Sequence, residues 1–376
     1  MCMTIKTITI QGYRSVQNLQ LNLGQINVVT GPNGCGKSNL YKAVYLLAQA
    51  AKGELAKTLA LEGGMPSVLW AGKKHTLSAK KPVRFMLSVN TDKYNFEIAC
   101  GLPSPGISAF DLDPLVKEEY VWFGDKRRAS NTFLERHTGS AWIYDQKGKK
   151  TVYPATLSQS ESVLSQLQEP HLYPELSILC GEMKKWRFYH NFLTEVESSI
   201  RTPQVGVRTP ILNNDGKDLA AALQTIIEIG NVDLLHEIVD HAFPGSKLII
   251  NIDEKTRFEV MLQMPGILRP LEARELSDGT LRFLCLVAAL LSPRPAPLLA
   301  LNEPEMSLHP DLIQPLAELI TMASQQSQIW VTTHSKELAK KISKTSGEKT
   351  INLIMTENGT QNDEKINSWE SYVINE

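Results

Sequence analysis

The chain lacks any apolar run approaching the ~18–20 residues that a membrane span needs, so a membrane-spanning protein is not expected. Its five cysteines (Cys2, Cys35, Cys100, Cys180 and Cys285) are scattered, which excludes a disulfide framework and the close spacing of a zinc site. Charge of one sign is missing too. Against 40 Asp and Glu stand 39 Lys and Arg, a net charge of −1, so the molecule as a whole does not draw nucleic acid to itself. There is no heptad repeat, and Pro114, Pro154, Pro170, Pro174, Pro203, Pro210 and Pro244 would break a long coiled coil. The opening residues, MCMTIKTITI, alternate like a strand and lack the apolar block and cleavage site of a signal peptide. Together these absences point to a reducing cytoplasm.

What is present suits a large buried core. The 376 residues are 42% hydrophobic and 21% charged, a soluble globular composition with room for about two to three domains. Residues 4–10 and QINVVT (25–30) read as strands, and LYKAVYLLAQAAKGELAKTLAL (40–61) has helical apolar spacing. KPVRFMLSVN and KYNFEIACGL form a candidate hairpin turning near Thr91 and Asp92. From 258 onward strands alternate with helices: RFEVMLQM, SDGTLRFLCLVAALLS, PLLALNEPE, DLIQPLAELITMASQ, QIWVTTHS, KELAKKIS and TINLIMTEN. That alternation predicts a largely parallel sheet. The prolines and short helical patterns between, such as LAAALQTIIEIGNVDLLHEIVDHAF, mark an insertion. The expectation is one α/β domain from 1–105 and 258–376, split by an insertion at 106–257.

Between the second of those strands and the first helix lies Gly31-Pro32-Asn33-Gly34-Cys35-Gly36-Lys37-Ser38, which fits G-x-x-x-x-G-K-[ST] at every position. In such a loop backbone N–H groups turn inward around phosphate oxygens, and the helix N-terminus adds its positive dipole. Lys37 is placed to reach the β- and γ-phosphates, and the Ser38 hydroxyl to ligate Mg2+. Cys35 reads either as a redox switch or, more simply, as a small tolerated side chain. Ser277-Asp278-Gly279 opens a helix; alone it is only an N-cap with a turn glycine, but 26 residues before Glu303 it becomes a second anion site. Glu303 ends a buried strand, where a carboxylate can polarise attacking water as a general base. Asn302 stands where a charged carboxylate normally holds a magnesium-bound water. His334, 31 residues after Glu303, ends the next strand and is placed to contact the γ-phosphate or position water.

In this order the phosphate loop, LSDGT, the strand ending in Asn-Glu-Pro-Glu, SLHP and TTHS resemble the ATP-binding-cassette ATPases. More narrowly they resemble the SMC/RecF/OLD-like branch, which includes bacterial predicted AAA-family ATPases of repair and phage defence. The likeness covers roughly 4–50 and 258–356; the insertion lies outside it. It implies an ABC/SMC-type P-loop ATPase fold, with a largely parallel sheet plus an antiparallel β lobe, split by a mixed, mainly helical insertion. It also implies a head-to-tail homodimer in which ATP and Mg2+ sit between the loop of one subunit (Asn33, Gly34, Cys35, Gly36, Lys37, Ser38 and Asn39) and Ser277, Asp278 and Gly279 of the other. Arg14 matches an arginine that contacts nucleotide in that branch, Ser307-Leu308-His309 falls at its interface-crossing loop, and His334 matches its switch histidine. DNA and an unidentified partner protein or effector are the implied partners, and a membrane is not.

The chain departs from the pattern at Asn302, in lacking a recognisable Q-loop glutamine, and in carrying neither a coiled coil nor a TOPRIM nuclease, for which the 42 residues after His334 are too few. The asparagine keeps a hydrogen-bond acceptor but removes a charge, so a working but slow ATPase is expected. The competing expectation is a nucleotide-gated binding module, an ATP-sensing regulator in which hydrolysis is incidental. The energy subunit of a membrane transporter fits poorly. Basic clusters at Lys73-Lys74, Lys80-Lys81, Lys126-Arg127-Arg128, Lys147 with Lys149-Lys150 and Lys184-Lys185-Trp186-Arg187 read either as solvated surface or as a nucleic-acid face. The stretch KKWRFYHNF (184–192) suits base stacking or a buried aromatic face equally well.

Overall fold

The structure is a computed structural model describing residues 3–73, 83–103, 108–144, 149–153, 156–167 and 169–363. Cys2, Lys74, Lys80, Lys81, Lys147 and Pro154, named above, lie outside them. Along the chain come β1 (Ile5–Tyr13), β2 (Val16–Asn22), β3 (Ile26–Thr30), α1 (Lys37–Lys52), α2 (Leu55–Leu61) and α3 (Met65–Val68). Next are β4 (Arg84–Thr91), β5 (Tyr94–Gly101), β6 (Leu115–Phe123), β7 (Thr132–His137), β8 (Ser140–Tyr144) and β9 (Lys150–Val152). Then follow α4 (Val163–Gln166), α5 (Pro174–Lys184), β10 (Arg187–Tyr189), β11 (Gln204–Val205), α6 (Leu219–Ile229), α7 (Val232–Ala242), β12 (Lys247–Ile252), β13 (Arg257–Gln263) and β14 (Leu271–Glu272). The last are α8 (Asp278–Leu290), β15 (Leu298–Asn302), α9 (Ile313–Ala323), β16 (Gln328–Thr332), α10 (Lys336–Ser346), β17 (Ile351–Thr356) and β18 (Gly359–Asn362).

The chain packs as two units. The first takes residues 1–24, 31–186 and 351–376; the second takes 25–30 and 187–350. The segment expected as an insertion, 106–257, contributes to both, with β6–β9, α4 and α5 in the first unit and β10–β12, α6 and α7 in the second.

The first unit is built on an antiparallel sheet in the order β17-β18-β2-β1-β4-β5-β6-β7-β8-β9. In β1 Ile8 and Ile10 are buried on one face, and Ile5 and Tyr13 are buried as well. Helix α1 buries Leu40, Val44, Leu47 and Ala51 along one stripe. The single long helix expected over 40–61 is two: Gly53, left-handed at φ 76°, caps α1, and the chain restarts as α2. A buried Arg136–Glu119 pair (3.6 Å) ties β7 to β6, and Arg136 also donates to the carbonyls of Glu161 and Ser158.

The second unit holds a parallel sheet in the order β10-β15-β16-β3, flanked by helices, and a small antiparallel sheet in which β13 pairs with β11, β12 and β14. Every residue of β15 and of β16 is buried, the pattern of central parallel strands covered on both faces. From Leu281 to Leu290 all of α8 is buried, in a core that also takes Leu223, Leu235, Leu316 and Ile320. Fully burying each such large side chain contributes about 1.5–3 kcal/mol. Among the described residues no helix is long and apolar enough to cross a membrane.

Candidate functional site

In the first unit the phosphate loop follows β3 without a spacer and runs into α1. Gly31, Gly34 and Gly36 all have positive φ, which lets the backbone curl into a cradle. Gly36 caps the helix at φ 101°, and a Cβ there would stand 2.1 Å from Thr360 Oγ1 and 2.8 Å from Ser15 Oγ. Lys37, only 4% exposed, bends its ammonium over the loop to donate to the carbonyls of Gly31 (2.6 Å) and Pro32 (3.0 Å). Asn33, Gly34 and Ser38 are exposed, so the cradle is open to a ligand. The Cys35 side chain is buried, its Sγ 2.7 Å from where a Cβ on Gly31 would lie; it fills the space under the loop.

Asn39 donates from Nδ2 to Ser15 Oγ (2.7 Å), and Ser15 Oγ shares a hydrogen bond with Thr360 Oγ1 (2.8 Å). This triad supports the loop from beneath, and neither Ser15 nor Thr360 was singled out in the sequence. Arg14 adopts φ 48° and places Nη2 2.5 Å from Glu62 Oε2, a carboxylate that also receives Tyr13 OH (3.2 Å) and Lys42 Nζ (3.3 Å). Burial first, and Glu62 second, push the Tyr13 phenol well above its usual pKa.

In the second unit the parallel register aligns the carboxyl ends of three strands: Asn302 pairs with Thr332, and Thr332 with Val29. That edge is where open α/β sheets bind ligands. Asn302 is 6% exposed and its Oδ1 has no hydrogen-bond partner, a buried acceptor left open. Glu303 follows in the left-handed region (φ 49°) and anchors its N–H on the Thr332 carbonyl (2.7 Å). Its Oε1 lies 2.9 Å from His334 Nε2. A non-glycine residue held in that conformation is a mark of functional sites. Glu305 Oε1 accepts from Thr333 Oγ1 (2.5 Å), the His334 N–H (3.0 Å) and the Ser335 N–H (3.1 Å), fixing the loop that carries His334, while its Oε2 is buried and unpartnered. Orphaned oxygen acceptors on Asn302 and Glu305 fit the hydration shell of a hard cation such as Mg2+, which keeps several of its waters.

The same unit carries the helix start expected to serve as a second anion site. Ser277 caps α8, its Oγ accepting the Thr280 N–H (3.1 Å). A Cβ on Gly279 would come within 2.7 Å of the Ser307 carbonyl, so the glycine admits close approach of the loop around Ser307, itself at φ 65°. The Asp278 carboxylate does not stand free but meets Arg201. On α8, Arg282 is 5% exposed; burial lowers its pKa, and the charges of Glu305, Glu195 and Glu303 oppose that shift. Arg201, Arg282 and Glu305 were missed as site residues. Only Glu305, inside the Asn-Glu-Pro-Glu run, left a signal in the sequence.

The aromatic residues of KKWRFYHNF belong to the interior: Trp186, Phe188, Tyr189 and Phe192 are all buried, which removes them from base stacking. In the basic cluster at 126–128, Arg127 covers the Tyr120 ring (3.4 Å) and pairs with Glu97 (3.6 Å). Lys150 pairs with Glu135 (2.8 Å). The described cysteines Cys35, Cys100, Cys180 and Cys285 are free and buried.

A phosphate cradle running into a helix, a strand-end glutamate with its histidine, and a serine-glycine helix cap are the elements of a P-loop ATPase. The family model described as "AAA domain, putative AbiEii toxin, Type IV TA system" matches residues 26–339, and the chain belongs to that family. Among solved structures it is similar to an SMC head bound to the C-terminal winged-helix domain of ScpA, at 16% identity and TM-score 0.52, covering 96% of this chain and 99% of that one. It is also similar to an SMC head with an extended coiled coil bound to the C-terminal domain of ScpA derived from Pyrococcus furiosus, at 14% identity and TM-score 0.50, covering 99% of each chain. These likenesses are in fold. A comparison with curated proteins finds no match.

Proposed function

We propose that the protein binds ATP with Mg2+ and hydrolyses it slowly, and that ATP closes a head-to-tail homodimer which hydrolysis reopens. Lys37 and the loop amides would hold the phosphates, Ser38 would ligate the metal, and Asn302 would accept a hydrogen bond from the ion's hydration shell through its open Oδ1. When bound, Mg2+ neutralises phosphate charge. Glu303 accepts a proton from the attacking water, and His334, its Nε2 2.9 Å from Glu303 Oε1, orients that water toward the γ-phosphate. Ser277 and Gly279 serve the nucleotide of the partner subunit. The observation that carries this reading is the Glu303–His334 contact of 2.9 Å at the aligned strand ends. The cycle is coupled to a DNA-linked process and to a protein partner. The family description, which names a toxin of a toxin–antitoxin system, supports defence over repair.

Steady-state phosphate release from ATP, with and without DNA, tests the proposal on the wild-type chain and on Glu303→Gln. Loss of a positioned general base lowers turnover by about 10²–10⁴-fold, while the ATP-bound dimer persists. Turnover that survives in Glu303→Gln sinks the assignment. A wild-type chain with no turnover that still dimerises on ATP is instead a nucleotide-gated binding module.

A further inference from the structure

Arg201 lies in the stretch of chain outside the sequence resemblance, on a single 3-10 turn (Ser199–Arg201), and is only 7% exposed. Its guanidinium spans the turn that leads into α8. Nη1 donates to the Leu276 carbonyl (2.7 Å) and the Ala273 carbonyl (3.2 Å), and Nη2 meets Asp278 Oδ1 at 2.5 Å. Nε donates to the Thr194 carbonyl (2.8 Å), which locks the head group in its own loop. Leu276 and Asp278 are the two neighbours of Ser277. One rigid fork therefore grips the residue before and the residue after the serine that caps the helix. A planar guanidinium with five N–H donors suits this task, whereas a lysine ammonium cannot span it in one geometry.

The charge of Arg201 matters as much as its reach. An aspartate beside an anion-binding helix N-terminus repels the phosphate that the helix attracts. The guanidinium against Asp278 Oδ1 offsets that repulsion.

We infer that Arg201 is a positioning residue for the second phosphate site: it holds Ser277 and Gly279 in the orientation that receives the partner subunit's ATP and cancels the charge of Asp278. This rests on the reading of Ser277 and Gly279 as an anion site completed across a dimer. Through Arg201, the segment from Thr194 to Arg201 is wired directly to that site, so a ligand that moves this segment moves Ser277 with it.

The test compares full-length wild type with Arg201→Met, Arg201→Lys, Arg201→Met/Asp278→Asn and the control Ser277→Arg. Three quantities are read: fluorescent ATP-analogue binding by the monomer, ATP-dependent dimer formation by light scattering, and phosphate release. Arg201→Met should keep analogue binding within twofold, since the loop at 31–38 is untouched, and lose dimer formation and turnover by more than tenfold. Adding Asp278→Asn should restore several-fold of both losses without restoring thermal stability, a charge rescue that a merely structural staple does not give. If Arg201→Met fails to fold, Arg201→Lys decides, with an expected three- to tenfold loss of turnover at unchanged analogue binding. Wild-type dimer formation and turnover in folded Arg201→Met, or in Arg201→Lys where the methionine variant does not fold, overturns the inference, as does a double variant with no rescue. If Ser277→Arg also behaves as wild type, the underlying reading of the anion site has failed; if Ser277→Arg is dead while the Arg201 variants are intact, only the role of Arg201 has.

Discussion

Replacing Asn302 by aspartate puts a charge at a position 6% exposed, where the native Oδ1 has no partner. Without magnesium that charge is uncompensated and is removed by protonation instead of staying buried. The penalty then has a ceiling: taking up a proton at pH 7 against an unfolded pKa near 3.9 costs at most about 4 kcal/mol, at about 1.4 kcal/mol per pH unit. The sign follows from a raised folded pKa on an acid. The penalty vanishes below pH ~4 and grows as pH rises. At about 2–4 °C per kcal/mol this lowers Tm in EDTA by up to roughly 16 °C at pH 7.

With magnesium and ATP the balance reverses. A Mg–O bond of ~2.1 Å followed by a hydrogen bond of ~2.7 Å puts the carboxylate about 4–5 Å from the metal. At an effective dielectric of about 40–80, a divalent ion at that distance contributes roughly 2–4 kcal/mol, or about 30- to 800-fold in magnesium affinity. The assay is thermal denaturation of both chains in EDTA from pH 5 to 8, followed by magnesium titration of ATP turnover. The variant should be less stable in EDTA, increasingly so as pH rises, and should reach half-maximal turnover at tenfold less magnesium or lower. Equal magnesium midpoints would refute the role given to Asn302, and a pH-independent loss of stability would refute the account of its burial.

Gly36→Ala forces a Cβ to 2.1 Å from Thr360 Oγ1 at φ 101°, so the Ser15–Thr360–Asn39 support must move. A loss of about 1–3 kcal/mol in urea denaturation and at least tenfold weaker ATP binding are expected, and unchanged binding would show that the loop does not depend on that support. Glu305→Ala removes the acceptor for Thr333 Oγ1 and the N–H groups of His334 and Ser335. Unsatisfied donors cost about 1–3 kcal/mol each; turnover should fall tenfold or more with ATP binding intact, whereas equal loss of both would place Glu305 outside the hydrolytic step. Arg269 meets the Glu275 carboxylate with both terminal nitrogens (2.7 Å each), and that contact, ahead of the Glu272 N–H and with Arg274 adding charge, holds the carboxyl down to about 2. A depressed acid stabilises above its unfolded pKa, so the Tm gap between wild type and Arg269→Ala should be constant above pH ~4.5 and close as pH falls toward 2; a gap that persists at pH 2 would mean that Arg269 acts through packing.

Strands and helices whose neighbours are close in sequence were legible. Alternation in KPVRFMLSVN and KYNFEIACGL marks β4 and β5, and the apolar runs PLLALN and QIWVT mark β15 and β16. Two things were hidden. Gly53 breaks a helical pattern that periodicity alone continues, because a glycine in the left-handed region acts through backbone conformation and not through hydropathy. The stretch 106–257 reads as one piece, yet its front half extends an antiparallel sheet and its back half packs helices on a parallel one. Local pattern carries no information about which edge a strand joins.

The site divides in the same way. Lys37, Ser277, Glu303 and His334 could be singled out because each stands at a fixed position relative to a strand end or helix start, and such positions recur in a motif. Thr360 supports the phosphate loop across 345 residues of sequence, and Arg201 reaches Asp278 across 77. Their side chains act only through a tertiary contact, so no spacing rule marks them. Asp278 exposes the consequence. Taken alone its charge argues against phosphate at the proposed anion site, and the buried guanidinium folded against it offsets that charge. A supporting residue of this kind is defined by the charge it answers, and therefore becomes visible only after the fold has brought the two together.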